Sequence, residues 1–62
     1  MDSREVIFRL KGHLRARKQQ SGELNKRDLY YCITYAMDFL LISKNQAKQF
    51  ILDNIPEVAK LG

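Results

Sequence analysis

Of 62 residues, one is cysteine, one is proline and one is histidine, and each scarcity removes a class of protein from consideration. A lone Cys32 inside an apolar run forms no internal disulfide framework. It fits a reducing compartment and reads as a small buried apolar residue, since nothing near it in sequence would lower a thiol pKa. His13 stands near Arg9 and Arg17, away from a paired carboxylate and from the only thiol, so no catalytic pair can be assembled around it. No Cys, His or carboxylate cluster has metal-ligand spacing. The three glycines stand alone at positions 12, 22 and 62, which excludes a Gly-rich phosphate loop. These absences predict a protein that is not an enzyme and has no catalytic residues, no metal, no cofactor and no small-molecule substrate.

Two further absences concern location. The residues after Met1 are Asp2, Ser3, Arg4 and Glu5, without the basic segment and apolar core of a signal peptide. The longest hydrophobic run falls short of the roughly 20 residues that cross a bilayer, and it carries Asp38. No membrane association is expected, and the expected location is cytoplasmic.

Strand signals are weak as well: no segment alternates cleanly between apolar and polar residues, and no Asn-Gly or Asp-Gly joins two such segments. Helix signals are good. Asp2 and Glu5 form a capping pair before Val6, Ile7, Leu10 and Leu14, which recur at helical spacing and predict a first helix over 3–19. Gln19, Gln20, Ser21 and Gly22 form a polar break. Asn25 as N-cap and Asp28 near the positive end of the dipole predict a second helix over 26–42. Ser43 and Gln46 are a capping box for a third over 44–54, and Pro56 leaves at most a short turn over 57–61. There is no internal repeat, linker or low-complexity stretch. The expected fold is an all-α, three-helix single domain over 1–62, which a second copy would complete as a dimeric helical bundle. Gly12 within the first helix costs about 1 kcal/mol relative to Ala and is expected to mark a kink or a close helix crossing.

The most informative stretch is Leu29 to Ile42, LYYCITYAMDFLLI, in which only Thr34 and Asp38 are not hydrophobic. A helix apolar nearly all round has to be covered on several sides, more than two short neighbours can supply. Leu29, Ile33, Ala36 and Leu40 form the natural core stripe, flanked by Cys32 and Met37. Tyr31, Tyr35 and Ile42 lie opposite, around Asp38, as an expected dimer or partner interface to which Phe8 of the first helix is added. The opposing expectation is that both tyrosines lie half-buried under the first helix or the C-terminal turn, with their hydroxyls in water.

Charge is unevenly spread. Residues 1–27 carry eight Lys or Arg against Asp2, Glu5 and Glu23, whereas residues 28–62 carry three against four acids. A basic arm on a near-neutral body suggests nucleic acid or an acidic protein surface. Arg4, Lys11, Arg15 and Lys18 gather on one side of the first helix, where like charges repel unless an anion meets them. Arg15 and Lys18 are also explained by the helix C-terminus, where cations are favourable. Lys44, Asn45, Lys48 and Gln49 face outward near the start of the third helix, as groove-reading side chains would, and equally as a solvated face would.

Small size, absent catalytic chemistry, a basic arm and a surplus apolar face together resemble the style of small phage, plasmid or bacterial regulators. Two functions follow. One is a nucleic-acid-binding regulator, dimeric through the second helix, with Arg4, Lys11, Arg15 and Lys18 on phosphates and Lys44, Asn45, Lys48 and Gln49 near bases. The other is a protein-binding adaptor or inhibitor that docks its aromatic and basic surface onto a larger protein.

Overall fold

Four helices and no strand are present in the computed structural model, which describes residues 2–62: α1 (Ser3–Ser21), α2 (Lys26–Leu40), α3 (Lys44–Asn54) and a single turn, α4 (Pro56–Ala59). The all-α expectation holds. Each start is written in the chain. The Asp2 carboxylate accepts from the Arg4 and Glu5 N–H groups at 2.6 and 3.2 Å. Asn25 and Asp28 cap α2 reciprocally, Asn25 N–H donating to Asp28 Oδ2 at 2.9 Å, and Ser43 with Gln46 does the same for α3. Such pairs satisfy N–H groups that the first turn leaves without intrahelical partners.

Two helix ends depart from expectation. α1 runs two residues further than 19 because the Ser21 hydroxyl donates back to the Arg17 carbonyl at 2.9 Å, and Gly22, at φ 86°, then closes the helix by donating its N–H to Lys18 O. α2 stops at Leu40 rather than 42. Leu41 takes a left-handed conformation, φ 55° and ψ 48°, which an L-residue other than Gly, Asn or Asp adopts at a cost of about 1–2 kcal/mol. Ile42 therefore leaves the helix.

The helices enclose one apolar core. Val6, Leu10 and Leu14 of α1 meet Leu29, Cys32, Ile33 and Ala36 of α2, Ala47 and Ile51 of α3, and Ile55 and Val58 of the C-terminal turn. The spacing of the α1 residues is three to four, one face of a helix. Helix α2 is central, touching α1, α3 and α4. Its pairing with α1 is antiparallel, since Arg17 meets Asp28 while His13 meets Tyr31. The expected role of Gly12 is corrected here: it is exposed, and a Cβ added to it would meet nothing within 4 Å, so no close crossing occurs there. Its cost of about 1 kcal/mol is outweighed by full burial of Val6, Leu10 and Leu14, worth about 1.5–3 kcal/mol for each side chain.

Candidate functional site

The basic residues predicted on α1 acquire a partner from the far end of the chain. Lys11, Arg15 and Lys18, spaced by four and three residues, line one side of an open groove of about 710 Å³, and Lys60 lines it from the C-terminal turn. Leu14, Leu24 and Leu61 give the groove an apolar lining, and Glu23 and Glu57 are its acids. Leu61 also borders a smaller hollow of about 300 Å³ that holds Lys26, Lys44 and Lys48 beside Tyr30. Seven cations from three helices and the C-terminal turn thus surround one segment, against two carboxylates. Arg4 lies outside both hollows, two turns or about 10 Å before Lys11 along α1.

The expected reading face of α3 is divided. Lys44 and Lys48 line the smaller hollow, whereas Asn45 and Gln49 do not. The Gln49 amide donates to Asp53 Oδ1 at 2.8 Å and is engaged on its own helix. Lys26 and Lys60 were missed by sequence reading, because nothing local marks them: only the return of the chain at Pro56 brings Lys60 toward α1.

The aromatic side of the molecule is ordered differently. The His13 ring stacks on Tyr31, centroids 4.1 Å apart and 19° between planes. Tyr31 is 6.1 Å from Tyr35, and Tyr35 is 4.4 Å from Phe39, so a ladder of four rings runs along the α1–α2 seam. Arg9 belongs to it. Its guanidinium is ion-paired with Glu5 at 3.1 Å, and its pKa is raised chiefly by Glu5 and then by Tyr35. Tyr31 remains 44 % exposed and Phe39 45 %, while Tyr35 is half-buried and Asp38 exposed. Ile42, expected beside the tyrosines, is instead half-buried against the core, because the turn at Leu41 redirects the chain. Phe8, 78 % exposed, sits on the outer face of α1 among the cations rather than on the ladder.

Among the described residues, one ion pair crosses from helix to helix. Asp28 is buried and accepts from Arg17 Nε at 3.1 Å as well as from Asn25 N–H. Its carboxyl pKa is lowered, first by the Asn25 N–H and then by Arg17, against the opposing effect of burial. Cys32 is fully buried, and burial pushes its thiol up to about 12, with the nearby charges of Asp28 and Glu57 acting in the same direction. A thiol so protonated is a poor nucleophile. Among the described residues, no group of three His, Cys, Asp or Glu side chains stands close enough to hold a metal ion, and no helix is long and apolar enough to cross a membrane.

Compared with protein-family models, with curated proteins and with solved structures, the chain matches none.

Proposed function

We propose that this protein is a small basic helical regulator that binds nucleic acid without catalysing a reaction, acting as a dimer through α2. The observation that carries the reading is the convergence of Lys11, Arg15, Lys18 and Lys60 on one groove, with Lys26, Lys44 and Lys48 beyond Leu61. Cations collected from distant parts of a chain repel one another, and a polyanion is the ligand that turns this repulsion into affinity through release of its condensed counterions. Arg4 and Phe8 extend the same side of α1.

Titration of labelled duplex and single-stranded DNA at two salt concentrations tests it. Binding should weaken steeply with salt, the log-log slope being about −0.9 for each phosphate neutralised on duplex DNA. Lys11→Glu/Arg15→Glu should abolish most of the affinity and flatten the slope. Lys60→Glu should weaken binding as much as the loss of a single α1 cation, because only the folded chain places it there. Absence of binding at low salt, or binding indifferent to these reversals, refutes the proposal.

A second reading, an adaptor or inhibitor that docks on a larger protein, has one observation in its favour. Leu14, Leu24 and Leu61 line the groove, and Phe8 stands exposed nearby, an apolar complement that an acidic amphipathic segment uses and a phosphate backbone does not. Groove variants that bind DNA normally but lose an acidic amphipathic peptide would favour it.

A further inference from the structure

The exposed face of α2 carries a pattern that the nucleic-acid reading does not use. Arg27, Tyr31, Thr34 and Asp38 recur at spacings of four, three and four, all exposed and within an arc of about 60° at 3.6 residues per turn. This is the heptad spacing of a helix seam, lying away from the buried stripe of Leu29, Ile33 and Ala36.

The charges at its two ends have the wrong sign for their own helix. Lys26 and Arg27 begin α2, at the positive end of its dipole, and the last turn has no basic residue but carries Asp38. Neither the Arg27 nor the Asp38 side chain forms an ion pair among the described residues. Just past Asp38, Leu41 is 88 % exposed in a left-handed conformation that glycine would adopt more easily. Leu41 thus places a large apolar side chain in solvent at a position where backbone strain is highest.

We infer that α2 pairs antiparallel with α2 of a second copy, about a two-fold axis between Tyr31 and Thr34, so that Arg27 of each chain meets Asp38 of the other. This deepens the proposed dimerisation through α2 and does not depend on nucleic acid. Residues opposite each other in such a pair have numbers that sum to the same value: Arg27 faces Asp38 twice, and Tyr31 faces Thr34 twice. The small Thr34 side chain gives the tyrosine room at the usual interaxial distance of about 8–10 Å. The antiparallel arrangement also sets Arg27 beside the negative end of the facing helix and Asp38 beside its positive end, relieving both unfavourable positions. Leu41 then lies against the start of the opposite α2, and Tyr30, 58 % exposed, flanks the seam.

Arg27→Asp, Asp38→Arg and the double exchange test the pairing by sedimentation equilibrium, with far-ultraviolet circular dichroism to confirm helicity. Each exchange places a charge where the α2 dipole favours it, so the fold is not at risk. Wild type should dimerise. Each single variant should dimerise about tenfold more weakly or worse, since the two-fold axis repeats every reversed contact. The two single variants mixed should form a heterodimer, and Arg27→Asp/Asp38→Arg should self-associate within about threefold of wild type, less than a single exposed ion pair is worth. A parallel pair, which sets Arg27 against Arg27, predicts no weakening in either single variant. Wild type that stays monomeric at high micromolar concentration overturns the inference, as does a double exchange that fails to recover. A dimer indifferent to all three variants overturns the pairing as well. Lys11→Glu/Arg15→Glu, on another helix, should dimerise as wild type does, which separates this test from that of nucleic-acid binding.

Discussion

Replacing Asp28 with Asn keeps the shape of the side chain and removes its charge, and the cost follows from the two donors that meet it. Asn25 N–H donates to Oδ2 and Arg17 Nε to Oδ1, at 2.9 and 3.1 Å. An amide offers one oxygen, so its NH₂ group must face one of the two donors. One of the two donors loses its acceptor at a buried side chain, and a charge-assisted hydrogen bond becomes a neutral one, for a loss of about 2 kcal/mol. A chain of this length has a total stability of roughly 3–9 kcal/mol, so the loss is large. In a domain this small it corresponds to a fall in Tm of roughly 8–16 °C. Urea and thermal unfolding followed by circular dichroism measure it at neutral pH. The sign of the pH dependence is fixed as well. The Asp28 pKa is lowered in the folded state from its ordinary 3.8, so its stabilisation is present above that value and disappears as the pH falls through the folded-state pKa. The gap between wild type and Asp28→Asn should therefore close in acid, where both carry a neutral group. Arg17→Ala should cost less, because the Arg17 side chain is 35 % exposed and Asn25 continues to serve the carboxylate. Equal stability of wild type and Asp28→Asn at neutral pH, or a gap undiminished well below pH 3.8, refutes this account of the capping network.

Two other outcomes are expected. Gly12→Ala should raise stability by about 0.5–1 kcal/mol, since the site is helical, exposed and open around the new Cβ; a loss of stability in urea titration would mean that the glycine serves a contact. Cys32 should resist alkylation in the folded protein at mildly alkaline pH, where a thiol with its pKa near 12 is scarcely ionised, and should react on the timescale of global unfolding; labelling of the native protein at the rate of a free thiol would refute it.

The parts of the fold that were legible in the sequence were those fixed within four residues. Asp2, the Asn25–Asp28 pair and the Ser43–Gln46 pair set helix starts by local hydrogen bonds, and Pro56 ends α3 by local sterics. The end of α2 was not legible, because Leu is a poor marker of a left-handed turn, and with that end went the placement of Ile42. On the aromatic face, the exposure of Tyr31 and Asp38 follows from helical periodicity. The stacking of His13 on Tyr31 was not legible, because it depends on which way α1 crosses α2. The basic face was likewise half visible. Lys11, Arg15 and Lys18 share a helix side by spacing alone, whereas Lys60 joins them only through the tertiary return of the chain, and Arg17 finds Asp28 across eleven positions of sequence.

Ile55 and Val58, both fully enclosed, are the last core side chains in sequence. The turn that carries them packs on α2 and α3, so its removal would uncover apolar surface on both helices. A chain cleaved before Ile55 therefore shows a greasy strip to its surroundings and is the form most open to aggregation.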